Sequence, residues 1–184
     1  VHNMCYYLTR RVEFEAAHYY RIPELSDEEN YDLFGPMSNP NGHGHNYVLM
    51  VTVKGAATAS DGMLINIKDL DGIIRKRVVA EYDHKSINLQ HPAFIQDLYL
   101  QPTSENIAIQ IWQSLIPHLQ NAKLHLVHLY EESALSVEYY GEGQMVYLTK
   151  MYEFSASHRL HSIALTDEEN KEIFGKCNNP YGHG

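Results

Sequence analysis

The sequence has no long apolar segment, few cysteines and little positive charge. None of its hydrophobic runs approaches the roughly 18 residues that cross a bilayer, which argues against a membrane-spanning protein. The two cysteines, Cys5 and Cys177, are too few for a disulfide framework, so a reducing cytoplasmic compartment is expected. Only 14 lysines and arginines accompany 23 acidic residues, giving a net charge of −9, whereas a nucleic-acid partner requires a basic surface. A small anionic substrate remains compatible, because it needs only a local positive field.

A segment near the amino terminus recurs near the carboxyl terminus. Residues 7–44 align without a gap on residues 147–184, and 19 of the 38 positions are identical. The 140-residue offset is one ordinary domain long. It predicts one complete unit over residues 1–143 and the N-terminal part of a second, repeated unit over residues 144–184. About forty residues cannot bury a core alone, so either the natural chain continues, which we favour, or the fragment packs on another surface.

The residue patterns predict an α+β fold. Alternating apolar residues predict a strand over Tyr6–His18, and β-branched residues predict another over Tyr47–Gly55. Further predicted strands are Met63–Ile67, which follows a turn at Asp61–Gly62, and a closing hairpin over residues 123–142. Predicted helices are a short one capped by Ser26 with Glu29, a long one over Lys68–Tyr82, and a long one beginning at Pro102–Glu105. The sum is an antiparallel sheet with two long helices on one face.

Three histidines have the spacing of a metal site. His43 and His45 are two residues apart, so on a strand they point to the same face. His18 ends the first predicted strand, which can pair alongside. Three imidazoles without a fourth protein ligand are the donor set of a catalytic zinc ion, which keeps one position open. The alternative is that His43 and His45 lie in a solvated loop and that His18 is an ordinary strand residue.

The repeat favours the metal interpretation. His158 and His183 recur at the positions of His18 and His43, while neighbouring loop residues differ. The third ligand of this second site would be residue 185, beyond the sequence. The second site is therefore predicted to bind zinc poorly as it stands.

Several motifs together resemble one known family. The segments "FEAAH", "DEEN…FG", "NPNGHGHNY", "YDHKSINL", "PTSENIA" and "LYEES" are similar to the 6-pyruvoyl-tetrahydropterin synthase family, which includes the 6-carboxy-tetrahydropterin synthases. The resemblance covers the first unit and the start of the second. Cys177 lies six residues before His183, a spacing that resembles the pyruvoyl-forming branch. The resemblance implies the tunnelling fold, in which four-stranded antiparallel sheets, each with two helices, close into a barrel in a trimeric ring. It also implies a homo-oligomer, either a trimer or a hexamer of units.

The resemblance also implies a reaction. Members of this family are zinc-dependent carbon–oxygen lyases of tetrahydrobiopterin biosynthesis. They convert 7,8-dihydroneopterin triphosphate to 6-pyruvoyl-tetrahydropterin with loss of triphosphate. By analogy, zinc on the three histidines would acidify the substrate hydroxyls, while a cysteine thiolate and an Asp–His pair would move protons. Cys177 and the pair Asp83–His84 match those positions. The alternative for Asp83–His84 is a turn after a helix.

The substrate-binding residues follow from the same resemblance. Glu131 matches the carboxylate that binds the pterin ring. The ring has an N–H group beside an amino group, and one carboxylate can accept hydrogen bonds from both. The neighbouring Glu132 is the solvated alternative. Thr103 and Glu105 would line the same pocket, or serve only as the cap and first-turn acid of a helix.

Met37 departs from the family pattern. It occupies the position of the catalytic thiol in the first unit, and a thioether has no proton to exchange. Three interpretations stay open: a tandem synthase whose second unit is the catalyst, active sites shared between units, and a pterin-binding assembly without catalysis. A fourth is an interaction domain whose histidines have no function.

Overall fold

A six-stranded sheet organises the first part of the molecule. The computed structural model describes residues 4–58, 61–120, 122–143 and 145–184. They divide into two compact units, Val1–Lys150 and Met151–Gly184. The strands of the first unit are β1 (Tyr6–His18), β2 (His43–Gly55), β3 (Lys85–Ser86), β4 (Lys123–Glu132), β5 (Leu135–Tyr139) and β6 (Tyr147–Lys150). Their order is β3-β1-β2-β4-β5-β6. All pairings are antiparallel except β1 with β3, which run parallel.

The alternating pattern of β1 separates a core face from a polar face. Val12, Phe14 and Ala16 are buried, whereas the residues between them are exposed. β1 pairs with β2 along its whole length, from Tyr6 opposite Gly55 to His18 opposite His43. The predicted bounds of β1 are confirmed. β2 begins four residues earlier than predicted, because pairing with β1 extends it to His43.

Helices supply the other half of the core. They are α1 (Asp27–Phe34), α2 (Ile67–Ile74), α3 (Ala80–Tyr82), α4 (Ile87–Gln90), α5 (Pro92–Gln96) and α6 (Ser104–Leu115). A π-helical turn, Arg75–Val79, joins α2 to α3, so the predicted helix over residues 68–82 is confirmed. Leu70 and Ile74 of α2, with Ile107 and Ile111 of α6, are fully buried in one core with the sheet. Complete burial of each such side chain contributes about 1.5–3 kcal/mol. The α+β class is confirmed.

Two structural predictions were wrong. Residues 63–67 form no strand, because the side chain of Asn66 accepts a hydrogen bond from Lys68 N at 2.9 Å and begins α2 at Ile67. Leu64 instead enters the core from irregular backbone. The sheet has six strands rather than four, since β3 and β6 are too short to give a sequence signal. Within the described residues, no helix is long and apolar enough to cross a membrane.

The second unit repeats local structure of the first. Its helix α7 (Asp167–Phe174) begins with a capping box at Thr166, as α1 does at Ser26. The side-chain amide of Asn170 donates to three preceding carbonyls at the same spacing as that of Asn30. A backbone bridge joins His158 to His183, the sequence equivalents of His18 and His43. Residues 158–183 therefore adopt the local fold of residues 18–43.

Candidate metal centre

The register of two strands gathers three imidazoles. His18 and His43 are the last pair between β1 and β2, and His45 lies on the same face two residues further along β2. One ring nitrogen from each lies within 4.8 Å of the other two. The ring centroids are 4.5 to 5.0 Å apart. The predicted convergence of His18, His43 and His45 is confirmed.

The hydrogen bonds of these histidines leave nitrogens free for a ligand. His18 Nδ1 lies 2.7 Å from the carbonyl oxygen of Pro102, which only accepts, so Nδ1 carries the proton and Nε2 a lone pair. His18 Nε2, both ring nitrogens of His43 and His45 Nε2 are buried without a hydrogen-bond partner. An unsatisfied buried polar group costs about 1–3 kcal/mol, and a bound cation would remove that cost. The three side chains therefore fit a divalent metal ion with an open coordination position.

The electrostatics also favour neutral ligands. Burial lowers the pKa of His18 to about 4. The hydrogen bond to the Pro102 carbonyl acts in the opposite direction, whereas the neighbouring His43 and His45 lower the pKa further. Burial also lowers the pKa of His43, and His45 adds to the effect. Both imidazoles are consequently unprotonated at neutral pH, and their lone pairs are available without competition from protons.

A buried carboxylate lies beside the metal ligands. Glu131, on β4, is only 9% exposed, and its Oε1 lies 3.5 Å from His45 Nε2. The Ser104 hydroxyl donates to its other oxygen. Glu132 is exposed and pairs with Lys150 instead. The structure thus places Glu131 inside the site and Glu132 outside it.

The start of α6 forms another wall of the site. Thr103 is the cap of α6, and its hydroxyl accepts from Asn106 N at 3.4 Å. Glu105 lies in the first helical turn. Burial raises the pKa of the Tyr20 hydroxyl, and the carboxylates of Glu131 and Glu105 raise it further. Both carboxylates therefore act on the hydroxyl of the same half-buried tyrosine.

The Asp83–His84 pair sits at the edge of β1. His84 Nδ1 lies 3.0 Å from Asp83 Oδ2. Two hydrogen bonds join the pair to Glu15 on β1. Glu15 N donates to Asp83 Oδ1 at 2.9 Å, and His84 N donates to the Glu15 carbonyl oxygen at 2.6 Å. His84 has a φ of 57°, in the left-handed region. Asp83 raises the pKa of the His84 imidazole, whose side chain is 75% exposed. A cleft of about 500 Å³ has His84 and His45 among its lining residues, so these two imidazoles border the same space.

The thiol position differs between the two units. The Met37 carbonyl accepts from Tyr20 N at 2.9 Å, and the Cys177 carbonyl accepts from Leu160 N at 2.9 Å, so the two residues have the same backbone environment. Cys177 is a free, half-buried cysteine of the second unit. Its unit holds two histidines in contact, His158 and His183, whose ring centroids are 4.5 Å apart.

Sequence reasoning missed three residues of the site. Ser104 supports Glu131, and its position inside "PTSEN" was the available signal. Tyr47 has a fully buried hydroxyl without a hydrogen-bond partner. Burial raises the pKa of this hydroxyl most, and the negative charge of Glu131 raises it further. Tyr20 packs edge-to-face on His18 at 5.1 Å. Nothing in the sequence pattern distinguished these tyrosines from core residues.

Comparison with known proteins identifies relatives of the first unit. Residues 7–142 match the family described as 6-pyruvoyl tetrahydropterin synthase. The 6-pyruvoyl tetrahydrobiopterin synthase of Pongo abelii is 41% identical over 135 residues, covering 73% of this chain and 91% of that protein. The Homo sapiens protein of the same name is 39% identical with the same coverage. The structure of Caenorhabditis elegans 6-pyruvoyl tetrahydropterin synthase aligns with a TM-score of 0.68 and 29% identity, over 77% of this chain and all of that one.

Proposed function

The chain belongs to the 6-pyruvoyl tetrahydropterin synthase family, and we propose that it is a zinc-dependent carbon–oxygen lyase. Its substrate is 7,8-dihydroneopterin triphosphate, and its products are 6-pyruvoyl-tetrahydropterin and triphosphate. The observation that carries this proposal is the cluster of His18, His43 and His45, with buried nitrogens that lack partners. Zinc is the proposed ion because three imidazoles and an open position form its usual catalytic donor set.

Glu131 is the proposed binding residue for the pterin ring. A buried carboxylate accepts the ring N–H and the neighbouring amino group in a paired, charge-assisted arrangement. The Ser104 hydroxyl fixes the orientation of that carboxylate. Thr103 and Glu105, at the start of α6, are the proposed lining of the same pocket. Glu131 Oε1 lies 3.5 Å from His45 Nε2. This short distance supports a binding mode in which a pterin held by Glu131 has its side chain next to the metal ligands.

Asp83 and His84 are the proposed proton-transfer pair. A bound zinc ion supplies Lewis acidity, which eases removal of protons from the substrate hydroxyls. His84 gives and receives protons, and Asp83 orients its ring and stabilises its cation. Loss of triphosphate and oxidation of the side-chain carbons accompany reduction of the pterin ring, so no external oxidant is required.

The thiol of this reaction is proposed to be Cys177. The recurrence of α1 and its hydrogen bonds in α7 supports the interpretation of residues 144–184 as the start of a second unit. Met37 cannot act as a base, so the first unit alone is proposed to bind metal and pterin but to turn over slowly. A pterin-binding role without catalysis is therefore the second candidate function, and Met37 is the observation that favours it. The 6-carboxy-tetrahydropterin product is a further alternative.

The test combines metal, binding and turnover measurements on the full chain. The chain is loaded with zinc and given 7,8-dihydroneopterin triphosphate, and triphosphate and pterin products are quantified by mass spectrometry. Metal-dependent triphosphate release supports the lyase, and the mass of the pterin distinguishes the two products. Binding without release supports the second candidate. Failure to hold zinc would overturn both.

Two broader properties are proposed from the family resemblance. The units are proposed to assemble into a ring, as a trimer or hexamer of units. The absence of a disulfide among the described residues is compatible with a reducing cytoplasm as the proposed compartment.

A further inference from the structure

Tyr20 lies two residues beyond the end of β1 and packs against two of the metal ligands. The centroid of its ring is 5.1 Å from that of His18, in an edge-to-face arrangement, and 6.4 Å from that of His43. The ring of Phe34, at the end of α1, lies 6.1 Å away. Neighbours on several sides leave the phenol ring little freedom, so the direction in which its oxygen projects is set before a ligand binds.

The hydroxyl of Tyr20 lies close to the carboxylates of the site. Burial raises the pKa of this hydroxyl most, and the negative charges of Glu131 and Glu105 raise it further, so the oxygen is near both residues. The side chain is half-buried, and within the described residues its hydroxyl has no hydrogen-bond partner. A protonated tyrosine hydroxyl is a hydrogen-bond donor. A donor without a partner therefore borders the pocket in which the pterin is proposed to bind.

The second unit lacks this hydroxyl. At the 140-residue offset of the repeat, the position of Tyr20 is occupied by Leu160. Tyr20 N donates to the Met37 carbonyl at 2.9 Å, and Leu160 N donates to the Cys177 carbonyl at the same distance. The same place in the local fold thus has a polar side chain in one unit and an apolar side chain in the other.

The two units also differ at the residue to which this backbone nitrogen is bonded. The first unit has Met37 there, which has no proton to exchange, and the second has the thiol of Cys177. The first unit therefore has a hydrogen-bond donor beside the position where it lacks a reactive group. This combination fits a site that holds its ligand well, whatever its rate of turnover.

We propose that Tyr20 is a further ligand-binding residue of the first unit, and that its hydroxyl donates a hydrogen bond to an oxygen on the side chain of a hydroxylated pterin. The inference rests on the proposed function, because the pterin ring has to be held by Glu131. Glu131 Oε1 is 3.5 Å from His45 Nε2, and the Tyr20 ring packs on the other two metal ligands. The side chain of a pterin bound in this way lies beside Tyr20.

This role makes Tyr20 a residue that selects between pterins. A hydroxylated side chain offers oxygens that accept from the Tyr20 hydroxyl, whereas a methyl group at the same ring position offers none. A buried donor left without an acceptor is costly, so the site favours the hydroxylated ligand. If Tyr20 acted only by packing on His18, removal of its hydroxyl would not change the preference between the two ligands.

The experiment measures the affinities of two ligands for the zinc-loaded full chain by isothermal titration calorimetry. Neopterin has a trihydroxypropyl side chain, and 6-methylpterin has the same ring without those hydroxyls. Tyr20→Phe keeps the ring and removes only the hydroxyl. It is expected to weaken neopterin binding about 2- to 10-fold, the effect of one neutral hydrogen bond, and to leave 6-methylpterin binding unchanged. Tyr20→Leu introduces the residue of the second unit and is expected to lose the same preference.

Tyr19→Phe is the matched control. Tyr19 is also half-buried, but it lines a different cleft, of about 250 Å³, together with Phe94 and Leu98. This variant should bind both ligands as the native chain does, and zinc content is measured for every variant.

Three results would overturn the proposal. They are an unchanged neopterin affinity in Tyr20→Phe, an equal loss of affinity for both ligands, and a loss of zinc, which would mean that the residue acts through the metal ligands. A native chain that binds neither ligand would instead overturn the proposed function itself, so the two failures are distinguishable.

Discussion

His45 Nε2 lies 3.5 Å from Glu131 Oε1, so a metal ligand on β2 and a buried carboxylate on β4 share one site. The two residues are far apart in sequence and come together only because β2 and β4 are neighbours in the sheet. The contact limits where a ligand of Glu131 can lie. Whatever Glu131 binds lies within reach of the ion that His45 is proposed to hold.

His43→Ala is expected to abolish stable zinc binding. Removal of one of three ligands should lower zinc affinity at least about 100-fold, because loss of even an outer-shell partner costs 10–100-fold. Zinc content after dialysis, measured by mass spectrometry, checks this. His118→Ala is the control, since His118 lies outside the histidine cluster. Retention of a full equivalent of zinc by His43→Ala would contradict the assignment.

Glu131→Gln is expected to weaken binding of a pterin analogue. A hydrogen bond to a charged group contributes about 1.5–3 kcal/mol, which corresponds to roughly 10–100-fold in affinity. Fluorescence titration of the full chain measures the affinity, and zinc content is followed in parallel. Glu132→Gln, one residue away on the exposed side, should bind as the native chain does. Equal losses in both variants would mean that the carboxylate position does not select the ligand.

Met37→Cys is expected to accelerate triphosphate release. A positioned acid or base contributes about 100- to 10,000-fold, so a gain of at least about 100-fold is expected if the thiol is the missing group. Met63→Cys adds a thiol at a similarly exposed methionine outside the site. A comparable gain in the control would discredit the positional argument. Unchanged turnover with intact pterin binding would favour the binding role.

Asp83→Asn is expected to lower the pKa of His84. Asp83 is the main cause of the raised pKa, and Glu15 adds a smaller contribution. The charged imidazole should therefore lose its proton at a lower pH in the variant. Any activity that depends on the charged form should then begin to decline at a lower pH than in the native chain. Nuclear magnetic resonance of the His84 ring protons measures the titration. Glu15→Gln should cause the smaller displacement, and the reverse order would contradict the pairing.

The free energy of unfolding is expected to fall as the pH drops below about 6.5, in part through His91. Burial lowers the pKa of His91, against the field of Glu81, and its ring stacks on Tyr82 at 4.5 Å. Above the ordinary histidine value neither state is protonated. Below it the unfolded chain takes up the proton first, which costs at most about 1.4 kcal/mol per pH unit.

His91→Phe keeps the aromatic stack and removes this titration. Urea unfolding at pH 7.5 and pH 5 should show a smaller pH dependence in His91→Phe than in the native chain. His118→Gln serves as the comparison at a histidine outside that stack. An unchanged pH dependence in His91→Phe would show that His91 is not the group responsible.

Local sequence rules predicted the elements that position the metal site. Alternation predicted both ends of β1, and the capping box predicted α1 at Ser26. The two-residue spacing of His43 and His45 was enough to place them on one face, since a strand alternates regardless of its neighbours. These features depend on residues close in sequence.

Features that depend on distant contacts were not predictable in the same way. A register irregularity between Tyr130 and Glu132 sets Glu131 apart from the ladder, and sequence alone did not decide which glutamate faces inward. The apolar run at residues 63–67 resembles a strand until Asn66 caps a helix. β6 pairs with β5 through a partner choice that no local pattern encodes.

The hydrogen bond from His18 to the Pro102 carbonyl links the metal ligand to a segment 84 residues away. Pro102 immediately precedes the cap of α6, so the orientation of the imidazole depends on the order of that junction. Loosening of the amino end of α6 is expected to free the ring before the sheet opens. On heating, a cobalt-substituted chain would then lose its visible absorbance before its secondary structure. The absorbance of the ion would thus report the order of this one helix end.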